Sequence, residues 1–166
     1  MSPTIRDQAN RLKVSRTEAL VMRAKQNYPR GCQVRFNIEE ERFLRDNEVG
    51  RLATICADGL PHVVPVCYIY RSGGLWMATD YETRKYRNLL SNNKAALVVD
   101  AGYDSNRGIL VQGRARIYER GLEFRKAYAA FYKKFNWVRA TPWKEGEVPF
   151  IKIEPSRKAC WGPRSK

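Results

Sequence analysis

Residues 79–85 read Thr79-Asp80-Tyr81-Glu82-Thr83-Arg84-Lys85, and they stand between an apolar run, Leu75 to Thr79, and a segment of helical character from Tyr86 to Asn93. The predicted order is strand, short turn, helix. Two threonine hydroxyls and two adjacent cations thus fall at a helix N-terminus, where unpaired backbone N–H groups and the helix dipole favour an anion. Charge-assisted hydrogen bonds from adjacent Arg and Lys suit a phosphate. In a chain this basic, Arg84 and Lys85 alone also fit the description of solvated first-turn residues, so the flanking sequence has to decide.

Upstream, Arg51 to Ile55 reads as a strand, Asp58-Gly59 as a hairpin turn and His62 to Tyr70 as the returning strand. Ser72-Gly73-Gly74 then turns the chain into the short strand Leu75 to Thr79. Beyond the helix, Ala95 to Val99 is apolar throughout and reads as a further strand. Asn37 with Glu40 three residues later is a capping pattern that opens a helix carrying Phe43 and Leu44 towards the sheet. Leu122, Phe124, Ala127, Tyr128, Phe131 and Phe135 recur at helical spacing opposite Arg125, Lys126, Lys133 and Lys134. This aromatic stripe is expected to be core, because a helix beside a sheet must bury one face. Trp143, next to Pro142 in the following loop, suits either the cover of a planar ring or a subunit contact.

This order and its motifs resemble the FMN-binding split-barrel superfamily typified by pyridoxamine 5'-phosphate oxidase, over residues 38 to 161 and most densely from Gly50 to Gly113. Thr79, Thr83, Arg84, Lys85, Asn92 and Leu97 occupy the family's Thr, Ser/Thr-Arg-Lys, Asn and Leu places. Gly59 and Pro61 match its Gly-x-Pro turn, and Val111-Gln112-Gly113-Arg114-Ala115 its later Val-x-Gly-x-Ala strand. The resemblance implies a mainly β fold with flanking helices, an antiparallel split β-barrel of about six strands of the FMN-binding type. It implies that the backbone of Val64, Pro65, Val66, Cys67 and Tyr68 meets the flavin ring, that Thr79 meets the ring or ribityl chain, and that Thr83, Arg84 and Lys85 hold the phosphate. It also implies a homodimer with the cofactor at the subunit interface.

The chain departs from the oxidase itself. Val64 stands where the family has a strand cation, Ile69 where a lysine grips the substrate phosphate, and Arg157-Lys158-Ala159 where an Arg-x-His pair is expected. The segment Tyr128 to Thr141 lacks the Tyr, Arg and Ser cluster that holds the second phosphate. An isoleucine supplies no charge-assisted bond, so pyridoxamine 5'-phosphate is not the expected substrate. The resemblance is closer to the small members of the superfamily, some using FMN and others a deazaflavin, with which Pro149 to Ile153 and Cys160-Trp161-Gly162 also agree. The leading expectation is an FMN-dependent oxidoreductase acting on a small molecule. A deazaflavin-dependent oxidoreductase of the same fold is the first alternative, and a non-enzymatic basic binding module the second.

Bulk properties bound the rest. The 166 residues suit one core-forming domain, residues 37–166, preceded by a basic, largely helical extension over residues 1–36. In that extension Ile5, Ala9 and Leu12 share a helical face, Ser15 to Glu18 is a capping box, and Pro29-Arg30-Gly31 is a break. The cysteines, Cys32, Cys56, Cys67 and Cys160, lack metal-ligand spacing and read as reduced thiols of a cytoplasmic protein. No apolar run has the length of a bilayer span. His62, the single histidine, excludes a multi-histidine metal site and reads chiefly as a residue at a strand start. The net charge of +14 attracts anions, nucleic acid among them, but without a recognition motif nucleic acid ranks below a phosphorylated cofactor.

Overall fold

The computed structural model describes residues 34–102 and 106–162; the expected features at residues 1–33 and Cys32 lie outside them. Helix α1 (Ile38–Asp46) starts as its sequence predicts. Asn37 Oδ1 accepts from the N–H of Glu40 and the Asn37 N–H donates to Glu40 Oε2, both at 2.8 Å, which satisfies two otherwise unpaired groups at the helix start. Phe43 and Leu44 are buried against the sheet. Phe36, which the sequence boundary assigns to the extension, packs edge-on to Tyr70 at 5.4 Å and so belongs with the barrel.

Strands β1 (Val49–Ile55) and β2 (Pro61–Cys67) pair antiparallel around Asp58 and Gly59. Asp58 Oδ1 accepts from the Leu60 N–H at 3.0 Å, the local side-chain bond that makes Asp a turn former. The expected strand from His62 to Tyr70 divides at Tyr68 into β2 and β3 (Ile69–Arg71). The cause is tertiary. Through Tyr68, whose N–H donates to Glu48 O at 3.0 Å, the segment pairs with β1, and from Ile69 it pairs with the strand Gly74–Ala78 at the other end of the sheet; the Tyr68 hydroxyl donates to Leu44 O at 2.8 Å and Lys134 Nζ reaches Tyr68 O at 3.4 Å. Ser72 and Gly73, both at positive φ, form the two-residue turn into β4 (Gly74–Ala78), whose backbone twist suits a tight hairpin.

Helix α2 (Arg84–Ser91) leads to β5 (Lys94–Asp100), followed by β6 (Gly108–Tyr118), α3 (Gly121–Lys134), α4 (Asn136–Ala140) and β7 (Phe150–Trp161). The described residues form seven strands in the order β2-β1-β5-β6-β7-β4-β3, every neighbouring pair antiparallel. The count exceeds the expected six because Tyr68 divides one strand. The sheet curls until β2 approaches β4, giving the split barrel. Inside it Leu52, Leu97, Val111, Met77, Ile151 and Ile153 are fully buried. On the outside of β3, β4 and β7, a second cluster joins Ile69, Trp76 and Phe150 to Phe124, Ala127, Phe131 and Phe135. The α3 stripe is therefore core, except that Leu122 is 59% exposed. Among the described residues no helix is long and apolar enough to cross a membrane.

The chain end is tied to α1 by a charged cluster. Lys158 Nζ pairs with Glu40 Oε2 and donates to Arg35 O at 2.9 Å, while the Cys160 thiol donates to Glu40 Oε1 at 3.3 Å. Burial acts to raise the Glu40 carboxyl, but the bonds from Lys158, the Asn37 N–H and Cys160 outweigh it and hold it below the ordinary 4.5. A carboxyl lowered by folding stabilises the native state in full above its unfolded value, and that contribution disappears as the pH falls through the lowered value. Glu40→Gln should therefore melt below wild type above pH 4.5, with the gap closing under more acid conditions. A gap independent of pH in thermal melts would assign the effect to something other than this charge.

Candidate functional site

The stretch from Thr79 to Lys85 links the end of β4 to α2. Thr79 is 5% exposed and still bound to the sheet margin, its N–H donating to Pro149 O at 3.0 Å. A tight turn over Asp80–Thr83 places the Thr83 hydroxyl 2.8 Å from that of Thr79, and it donates to Asp80 O at 2.8 Å. Thr83 is also the N-cap of α2, with its Oγ1 accepting from the Tyr86 N–H at 3.4 Å. Two tyrosines brace the turn from behind. Tyr81 donates to Gly146 O at 3.0 Å, Tyr86 to Glu119 Oε1 at 2.9 Å, and their rings meet edge-on at 5.3 Å.

The first turn of α2 contains no acid and begins with Arg84 and Lys85. Cations at a helix N-terminus oppose the dipole, at a cost of a few tenths of a kcal/mol each, and a bound anion reverses the sign of that interaction. Arg84 is exposed and Lys85 half-buried, and among the described residues neither is tied by a hydrogen bond or an ion pair. Burial lowers the Lys85 pKa, with the Asp80 charge acting the other way. A poorly solvated ammonium and a guanidinium thus stand at a helix start where the Arg84 and Lys85 N–H groups have no intrahelical partner, a donor set that fits a phosphate.

The β2 segment is one edge of the sheet, so the backbone groups turned away from β1 have no neighbouring strand to pair with. Val64 and Val66 take the hydrogen-bonded places opposite Leu52 and Gly50, in phase with the Tyr68–Glu48 and Cys56–Leu60 bonds, so of residues 64–67 only Pro65 and Cys67 turn their backbone outward, and Pro65 has no N–H to offer. Tyr68 is different. Its ring is fully buried, its N–H and carbonyl are engaged by Glu48 and Lys134, and burial pushes its hydroxyl pKa far above the ordinary 10.0. The structure therefore brings Thr79, Thr83, Arg84 and Lys85 together at the junction of β4 and α2 but turns Tyr68 inward. Sequence spacing marks where the strand lies and not which backbone groups the tertiary fold consumes.

The remaining candidates resolve as packing. Trp143 meets Tyr128 at 5.3 Å, Trp137 at 5.9 Å and Phe150 at 6.5 Å, so its ring is taken up by the protein's own second core cluster. His62 Nδ1 lies 3.4 Å from the Thr54 hydroxyl, which also accepts from Asn88 Nδ2 at 3.0 Å. Cys160 is a poor nucleophile, since burial and then the bond to Glu40 push its thiol up to about 11. Among the described residues no three His, Cys, Asp or Glu side chains converge as metal ligands. Sequence reasoning missed a hollow of about 510 Å³ elsewhere on the sheet, lined by none of the residues named for the cofactor.

Residues 36–161 match the family model described as pyridoxamine 5'-phosphate oxidase. The chain belongs to that family. The chain is 30% identical over 135 residues to a 5a,11a-dehydrotetracycline/5a,11a-dehydrooxytetracycline reductase of Streptomyces rimosus, covering 76% of this chain and 83% of the relative. A conserved hypothetical protein of Mycobacterium tuberculosis superposes with a TM-score of 0.63 at 22% identity, over 82% of this chain and 94% of that one. A solved F420 reductase superposes with a TM-score of 0.56 at 23% identity, over 75% of this chain and 98% of that one. These likenesses agree with the split-barrel fold that the strand order displays.

Proposed function

We propose that this family member is a deazaflavin-dependent reductase of a small organic molecule. The observation that carries the reading is the α2 N-terminus, with no acid in its first turn, two cations that form no ion pair among the described residues, and paired threonine hydroxyls. Either flavin-type cofactor has a phosphate for this clamp. FMN ends in a monoester carrying between one and two negative charges near neutral pH, whereas the deazaflavin F420 carries a singly charged phosphodiester. Strand β2 supplies no cation, Val64 being apolar, and so suits the less charged group. The reductase named for the Streptomyces relative and the F420 reductase with the same fold point the same way. A bound deazaflavin supplies a hydride, and the relative's name suggests an electron-poor carbon–carbon double bond as the acceptor.

The protein's own part is positioning and shielding. Thr83, Arg84 and Lys85 would hold the phosphate, Thr79 would meet the ring or the chain beside it, and the outward backbone groups of the β2 edge would meet the ring. Ile69 is buried beside Trp76, so the oxidase's substrate-phosphate lysine has no replacement there, which argues against pyridoxamine 5'-phosphate. A bound ring would need shielding from water, and a second copy would supply it. Val49, Leu60, Val63 and Trp161 are between 41% and 64% exposed on β1, the hairpin, β2 and β7, an apolar set that a two-fold interface would bury.

Native mass spectrometry of protein purified from a host that makes both FMN and F420 tests both points at once. Two chains carrying F420 are expected. Co-purified FMN would favour the FMN reading, for which the two-cation clamp is equally competent, and a bare single chain would sink both and favour a basic binding module.

A further inference from the structure

The hollow outside the cofactor region is built by a row of cross-strand partners. Ala53 on β1 faces Ala96 on β5, Ala96 faces Gln112 on β6, and Gln112 faces Arg157 on β7. Two adjacent alanines leave the outer surface low, while Ile55 and Pro61 at the end of the β1–β2 hairpin stand above it. In the next row Lys94 faces Arg114, and both are exposed. The floor is apolar and one wall is cationic.

A β-bulge adds to that wall. The β6–β7 register shifts between Gln112, opposite Arg157, and Gly113, opposite Pro155, so Ser156 is the extra residue. Successive strand residues normally point to opposite faces, but here Ser156 and Arg157 both line the hollow. Gly113 permits the bulge, since a Cβ there would run into the carbonyl oxygen of Glu154. Three strands thus contribute Lys94, Arg114 and Arg157 to a lining that holds no carboxylate among the described residues, with Thr54, Ser156 and Gln112 as neutral hydrogen-bonding groups. Arg114 is steadied by Asn93 Oδ1 at 3.3 Å, a neutral partner that leaves its charge uncompensated. Lys94 and Arg114, facing each other across β5 and β6, repel each other, and an oxyanion between them relieves that repulsion. The volume, about 510 Å³, is that of a site for one small molecule, not of a groove for a polymer.

We infer that this hollow is a second ligand site, which takes a small organic oxyanion, a phosphate or carboxylate borne on an apolar body. It is separate from the phosphate clamp, and its test does not depend on the cofactor. Phenyl phosphate, inorganic phosphate and phenol are titrated calorimetrically into the full-length Arg84→Ala/Lys85→Ala variant, which removes the clamp's own affinity for phosphate. Phenyl phosphate should bind saturably and at least about 10-fold more tightly than either fragment, because only it uses both wall and floor. Adding Lys94→Gln and Arg114→Gln, both exposed and harmless to the core, should weaken it by about 10-fold or more. Ala96→Leu, which raises the floor, should abolish the advantage of phenyl phosphate over inorganic phosphate. The inference is overturned if the clamp variant shows no saturable binding, if the two glutamine substitutions leave affinity unchanged, or if Ala96→Leu preserves the preference.

Discussion

Replacing Arg84 and Lys85 together with Ala should lower the affinity for F420, or for FMN, by about 10²- to 10⁴-fold. Each charge-assisted bond to a phosphate contributes about 1.5–3 kcal/mol, and two such bonds give that range. The two shares are unequal. Arg84 is exposed and screened by water, so its contribution belongs at the low end. Lys85 is half-buried and its ammonium is already poorly solvated, so a phosphate there replaces little water and gains more. Riboflavin, which has the ring and ribityl chain without the phosphate, serves as the control and should lose less than about 3-fold. Fluorescence titration measures all these affinities, and equal losses for phosphorylated and phosphate-free ligands would show that the pair does not read the phosphate.

The second large effect is on stability. Phe131 is fully buried between Phe135 and Phe150, with ring centroids 5.0 Å from each, and it fastens α3 to the outside of β7. Phe131→Ala should cost about 3–5 kcal/mol, because the loss of transfer energy is joined by a cavity that a helix packed on a sheet cannot fully close. That is a large part of the stability of an ordinary domain. Leu122→Ala, at the exposed start of the same helix, should stay within about 0.5 kcal/mol. Urea denaturation of the two variants decides the matter, and similar losses would mean that the second cluster is not a separate source of stability.

Phe131 and Leu122 together also mark how far the sequence could be read. Helical spacing placed both on one stripe, and five of its six members are buried or half-buried. Leu122 lies in the first turn, beyond the part of the sheet the helix covers, and spacing carries no information on where a partner surface ends. The clamp was legible because its signals are local. Thr83 caps the helix that begins at Arg84, and the turn that joins it to Thr79 spans only four residues. Tyr68 was misplaced for the opposite reason. Its neighbours form one apolar run like a continuous strand, and the groups that engage it, on Leu44, Glu48 and Lys134, are 20 or more residues away in sequence.

By itself the sequence determined what short-range chemistry decides. The Asn37 and Thr83 caps, the Asp58-Gly59 and Ser72-Gly73 turns and the apolar strands each follow from residues within a few positions of one another. Family membership follows from the same order of elements. Only the tertiary structure decided which strand edge is open, which exposed-looking tryptophan is core, and that Lys94, Arg114 and Arg157 stand around one hollow. Those outcomes depend on strand register and on one extra residue opposite Gly113. Register is set by the summed packing of distant segments, which no short window of sequence contains.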